Sequence, residues 1–156
     1  MAEEVPDADE ILAAVGFEED DSVLTRRQAE VLALRERDVS QAAIAEELGT
    51  SRANVSSVEA SARENVRRAR ETVAFAAALQ APVRVRVDPG TDLFDVPTRV
   101  YDACDEAGVK VAVSSSELLK RVRQVADDAI EGDRVVAPLL VGVGADGAVQ
   151  VRRSGE

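Results

Sequence analysis

Histidine is absent from this sequence, and cysteine occurs once, at Cys104. A zinc centre built from Cys and His needs several such ligands. A Ser-His or Cys-His catalytic arrangement needs the imidazole. Both are therefore excluded. One thiol cannot close an internal disulfide. Aromatic side chains make up only 3% of the residues, so a core has to be assembled from Val, Leu, Ile and Ala. Lysine is scarce too, with Lys110 and Lys120 standing against seventeen Arg. No apolar run approaches the roughly 18 residues that a membrane span needs. The first residues are acidic where a secretory leader would be basic. These absences predict a cytoplasmic protein with neither a cofactor, a metal nor a membrane partner.

Apolar residues nevertheless form 46% of the 156 positions, enough for a folded core in one medium domain or two small ones. The net charge of −11 argues at first against a nucleic-acid partner. Its distribution reverses that argument. Residues 1–21 hold nine acids and no Lys or Arg. Residues 22–79 hold nine Arg against eight acids, and residues 80–156 hold ten basic and thirteen acidic side chains. Only the middle segment is not acidic, and five of its Arg lie at position 52 and between 63 and 70. An acid-rich, Lys-poor chain suits a high-salt cytoplasm, where excess negative charge favours solubility. A mesophile with a high-GC genome is the other source of such a composition.

The pattern predicts an α+β chain in three parts: an acidic leader at 1–21, a helical domain at 22–80 and a small α/β domain at 81–156. Within the leader, Glu10 to Phe17 reads either as a short helix, with Ile11, Leu12 and Val15 on one face and Gly16 at its end, or as a solvated tail. A second helix starts at Thr25, with Gln28 placed to complete a capping box, and buries Ala29, Val31, Leu32 and Leu34. A third starts at Ser40, carries Ile44, Ala45 and Leu48, and stops at Gly49. A fourth starts at Ser51 and shows a stripe of Val55, Val58, Ala62, Val66, Ala69, Val73 and Ala76 at helical spacing.

Two helices joined at Gly49-Thr50 form a helix-turn-helix. Ala45 is small where the helices cross, Gly49 permits the sharp turn, and Ile44, Leu48, Val55 and Val58 lock the pair together. Ser51 caps the later helix, leaving free N–H groups that can face a phosphate. Arg52, Asn54, Ser56 and Ser57 fall on its free side. A helix so set, and polar on that side, suits the major groove, where Arg pairs with guanine O6 and N7 and Asn with adenine N6 and N7. Gln41 and Arg63 are candidates for the DNA backbone. So are Arg26 and Arg27, which also fit a solvated surface. Arg63, Arg67 and Arg70 can follow the DNA backbone or pair with Glu59, Glu64 and Glu71 on the helix surface, and for Arg67, with Glu71 at i+4, pairing is preferred.

The run from Leu24 to Arg35, followed by Ser40 to Ser51, resembles the helix-turn-helix of LuxR-type regulators and of region four of bacterial sigma factors. Arg52-Ala53-Asn54-Val55-Ser56, with the long helix beyond it, resembles the archaeal Tfx family of DNA-binding transcriptional regulators. That resemblance covers about 22 to 79. It implies a helix-turn-helix followed by a smaller α/β region, double-stranded DNA as partner, and groove-facing roles for Ser51, Arg52, Asn54 and Ser57. Neutral Ser56 and Ser57 depart from the more basic helix of sigma factors.

Beyond Gln80–Pro82 the reading is strand (83–87), helix (about 97–107), strand (109–113), helix (114–130), then strands near 134–143 and 148–152. Gly142-Val143-Gly144-Ala145-Asp146-Gly147 matches the dinucleotide-binding pattern, but a strand-like run follows it instead of the helix that pyrophosphate needs. Asp146-Gly147 reads as a hairpin turn. Ser114 with Glu117 is a second capping box, and Cys104 lies among apolar helix positions. The competing functions are a DNA-binding regulator, a small nucleotide- or ligand-binding α/β protein with a helical appendage, and an adaptor that binds transcription proteins. The first is preferred, and on it the α/β domain mediates assembly or senses a small-molecule effector. The stripe that continues to Ala76 is expected to pack against a second copy in a homodimer, or otherwise against the α/β tail.

Overall fold

In the computed structural model of the chain, which describes residues 3–155, hydrogen-bonding side chains stand at the starts of the first four α-helices. Asp7 caps α1 (Ala8–Ala14), its carboxylate accepting from the N–H of Asp9 at 2.8 Å. Thr25 opens α2 (Arg26–Arg35) with a complete capping box. Its hydroxyl accepts from the Gln28 N–H at 3.2 Å, and Gln28 Oε1 accepts from the Thr25 N–H at 3.0 Å. Ser40 caps α3 (Gln41–Leu48), which ends at Gly49 with φ of 66°. Ser51 precedes α4 (Arg52–Gln80) and accepts from the Asn54 N–H at 3.1 Å.

Two compact units divide the chain, Met1–Glu71 and Thr72–Glu156, so the division falls inside α4 and ahead of its end at Gln80. In the first unit Val31, Leu34, Ile44 and Val55 are fully buried in one cluster. Each such side chain contributes about 1.5–3 kcal/mol by leaving water. The leader joins this unit. Its helix α1 lies against α2 and buries Ile11 and Leu12, so the short helix forms and the segment is not a solvated tail. It starts at Ala8, ahead of the expected Glu10. Val15 is 71% exposed and does not share the buried face. The helix has ended before it, and the Phe17 N–H returns to Leu12 O at 2.9 Å.

The second unit is a three-stranded antiparallel sheet in the order β1 (Val83–Val87), β4 (Leu139–Val143), β5 (Val149–Arg153). Val83 stands opposite Val143, which stands opposite Val149. Strand alternation puts Val83, Val87, Val141 and Val151 into the core and leaves Arg84 and Arg86 exposed. The helices α5 (Val96–Ala107) and α6 (Ser115–Val125) fill the core with Val96, Val100, Cys104, Leu118 and Val122. A small ribbon pairs β2 (Ile130–Glu131) with β3 (Arg134–Val135). Cys104 is a core residue, and burial pushes its thiol pKa up, helped by the charge of Asp105.

Three expectations for this unit need correction. Residues 109–113 form no strand. Their backbone groups go elsewhere: the Ala112 N–H donates to Gly147 O at 3.0 Å, and the Tyr101 hydroxyl donates to Val113 O. Val109, Val111 and Val113 alternate because they reach the core from an irregular segment. The helix expected at 114–130 stops at Val125, where Ala126 leaves helical geometry (φ −132°) and a short 3-10 turn at 127–129 follows. The strand expected near 134–143 is two, β3 and β4, with Pro138 lacking an N–H between them. The Gly144–Gly147 segment is the β4–β5 hairpin turn, with the Gly144 N–H donating to Ala148 O at 2.9 Å and no helix after it. Among the described residues, no helix is long and apolar enough to cross a membrane.

Candidate nucleic-acid interface

Gly49 takes the left-handed conformation that turns the chain between α3 and α4, and the Thr50 N–H closes the turn on Ala45 O at 2.9 Å. Ile44, Ala45, Val55 and Ala62 are buried, and Val58 is half-buried. One side of α4 is thereby fixed. On its remaining surface Ser51, Arg52, Asn54, Ser56 and Ser57 are all exposed. The Ser51 hydroxyl is used in the cap. The side chains of Arg52, Asn54, Ser56 and Ser57 make no hydrogen bond or ion pair among the described residues. Four polar side chains on a fixed helix are thus left open to a ligand.

The turn is braced by a carboxylate that sequence reasoning treated only as a partner for Arg63. Glu59 is 7% exposed. Arg35 Nε from α2 donates to its Oε1 at 2.8 Å, Gln41 Nε2 from α3 donates to the same oxygen at 3.1 Å, and Arg63 Nε donates to Oε2 at 3.3 Å. Arg35 also donates to Val39 O at 2.9 Å, in the connection ahead of α3. Burial by itself raises the Glu59 pKa. The hydrogen bonds from Gln41 and Arg35, the charge of Arg35 and the bond from Arg63 outweigh it and hold the carboxyl below the usual range. One ionised group therefore links α2, α3 and α4. The available signal was a charge flanked by Val58 and Ala62 on the apolar side of a helix, a place that demands a partner.

The candidate residues thus fall into two sets. Arg52, Asn54, Ser56 and Ser57 share the open surface beside the Ser51 cap. Gln41, half-buried, and Arg63, whose side chain keeps 54% exposure, are both bonded to Glu59. Arg26 and Arg27 at the start of α2 pair with acids: Arg26 with Asp9 at 2.7 Å, and Arg27 with Glu30 at 3.3 Å. Arg67 bonds Glu64 one turn earlier, at 2.7 Å, and not the expected Glu71, whose charge adds a weaker pull.

A braced helix-turn-helix with an open polar face on its second helix fits the class of helix-turn-helix DNA-binding regulators. Comparison with known proteins agrees. The model of sigma-70 region 4 matches residues 22–68, and that of the C-terminal region of the DNA-binding protein TFX matches residues 69–151. A "Putative transcriptional regulatory protein" from the archaeon Haloarcula marismortui is 60% identical over 146 residues, covering 94% of this chain and 92% of the relative. The "DNA-binding protein Tfx" of Methanothermobacter thermautotrophicus is 37% identical over 128 residues, covering 82% of this chain and 93% of the relative. The chain belongs to the Tfx family of DNA-binding proteins.

Proposed function

We propose that this protein is a cytoplasmic transcriptional regulator that binds double-stranded DNA and reads its sequence with the first turns of α4 in the major groove. It acts by binding and not by catalysis. The observation that carries this reading is the open set Arg52, Asn54, Ser56 and Ser57 on a helix whose other side is locked by Val55, Glu59 and Ala62. Arg52 is suited to guanine O6 and N7, and Asn54 to adenine N6 and N7. Ser51 presents the helix N-terminus, and Gln41 and Arg63 would meet the phosphate backbone beside it. The relatives from archaea, one of them named as a DNA-binding protein, support the same reading.

Assembly belongs to this proposal. Along the last turns of α4, Val73 is 68% and Leu79 61% exposed, and Ala76 is exposed beside them. A second copy packed on these residues would present two recognition helices to a two-fold symmetric operator. A small-molecule effector of the second unit would sit in a groove of about 390 Å³ bordered by Ala78, Ala81, Gly142, Asp146 and Gln150.

Selection from a pool of randomised duplexes tests the reading. The expected outcome is one enriched motif that a shuffled duplex cannot replace. Retention of the pool without enrichment, abolished by salt, would reduce the activity to non-specific phosphate binding and overturn the sequence-reading role.

A further inference from the structure

Two carboxylates of the acidic leader rest on donors of the helix-turn-helix unit. Glu3 lies 37 residues from Ser40 in the chain, yet its Oε1 accepts from the Ser40 N–H at 2.9 Å and its Oε2 from the Ser40 hydroxyl at 2.7 Å. Ser40 is the cap of α3, the helix that precedes the recognition helix. Asp9 Oδ1 accepts from the Arg26 guanidinium at 2.7 Å, and Arg26 is the first residue of α2. An N–H and an O–H of one residue, both directed at two oxygens of one anion, match a pair of non-bridging phosphate oxygens as well as they match a carboxylate. When a helix-turn-helix docks, the helix before the recognition helix crosses the DNA backbone, and its N-terminus favours an anion there.

Apolar packing also holds the leader in place. The leader's grip on α2 comes from Ile11 and Leu12, which are buried, whereas Glu3 and Asp9 are exposed. Glu4 and Glu10 of the same segment carry the same charge, yet their side chains make no hydrogen bond or ion pair among the described residues. The hydrogen bonds from Ser40 hold the Glu3 carboxyl below its usual range, so it stays anionic wherever DNA would be bound.

We propose that Ser40 and Arg26 are two phosphate-contact points of the DNA interface, and that Glu3 and Asp9 occupy them in the free protein and are displaced when DNA binds. The proposal rests on the DNA-binding reading and adds its regulation: the leader sets a threshold that only a duplex able to displace both carboxylates passes. This is competition for particular donors, separate from the general repulsion between an acidic segment and phosphate.

The test compares full-length parent, Glu3→Gln/Asp9→Asn and Glu4→Gln/Glu10→Gln on a random-sequence duplex at low salt, by fluorescence anisotropy. Both variants lose the same charge, and only the first loses charge-assisted contacts to Ser40 and Arg26. The first should bind about three- to tenfold more tightly than the second, the size set by two exposed charge contacts. Equal affinities would leave only general repulsion and overturn the proposal. Absence of binding by all three proteins would overturn the DNA reading and this proposal with it, a result distinct from equal but measurable affinities. The Ser40 amide resonance gives a second readout. On adding duplex to the parent it should lose its dependence on the Glu3 carboxylate, as seen against Glu3→Gln. A Ser40 amide that still follows Glu3 in the bound state would contradict displacement.

Discussion

At the scale of the residue, Glu59 carries most of the consequence. Its carboxylate is held ionised by Arg35, Gln41 and Arg63, so its folded pKa lies below the ordinary value of 4.5. The sign follows from linkage. A carboxyl that is more acidic in the folded chain adds stability that is full above its unfolded pKa and is lost as pH falls through the lower folded value. Glu59→Gln keeps the shape but removes the charge from beside Arg35 and Arg63. It should cost about 2 kcal/mol near neutral pH, below the 3–5 kcal/mol of a fully buried pair because both Arg are partly exposed. Urea unfolding should show that loss shrinking as the pH drops below 4.5. An unchanged pH slope in the variant would deny Glu59 its part in the acid response. The open residues were readable from spacing alone, because Arg52, Asn54, Ser56 and Ser57 are set by the stripe opposite them. The brace was not, because Arg35 stands 24 residues from Glu59 in the chain, and no local pattern joins them.

Among the elements, those fixed by neighbours in sequence were legible and those fixed by distant partners were not. The starts of α2, α3, α4 and α6 follow from Thr25, Ser40, Ser51 and Ser114, each accepting from the backbone N–H three residues on. The segment 109–113 alternates like a strand, yet its backbone is committed to Gly147 and Tyr101. Two glycines separate conformational strain from lack of space. At Gly49 (φ 66°) a Cβ meets nothing within 4 Å, so Gly49→Ala should cost about 1 kcal/mol from left-handed strain alone. At Gly147 (φ 83°) a Cβ would overlap the carbonyl oxygen of Lys110, so Gly147→Ala should cost about 3 kcal/mol or more and disturb the β4–β5 hairpin. Thermal unfolding of the two variants checks the order. Equal losses would mean that the 109–113 segment yields freely.

Across the whole molecule, charge and assembly decide how a chain of net charge −11 meets a polyanion. Only the stretch 22–79 is not acidic, with nine Arg against eight acids, and part of that positive charge is already spoken for by Glu59, Glu64, Glu30 and Asp9. Removing residues 1–21 outright would uncover the surface beneath Ile11 and Leu12, so charge-neutralising substitutions separate electrostatics from folding better than truncation does. Assembly has its own test. Val73→Glu with Leu79→Glu should convert a dimer to a monomer by light scattering while circular dichroism is unchanged. A parent that is monomeric well above its DNA affinity would remove the dimer. The central claim is that α4 reads sequence through Arg52 and Asn54. Its most direct test is the ratio of affinities for the selected site and a shuffled duplex, measured at one salt concentration in the parent, Arg52→Ala and Asn54→Ala. Each substitution should lower that discrimination by about 1–3 kcal/mol with the fold unchanged. Discrimination equal to the parent's in both variants would contradict the account.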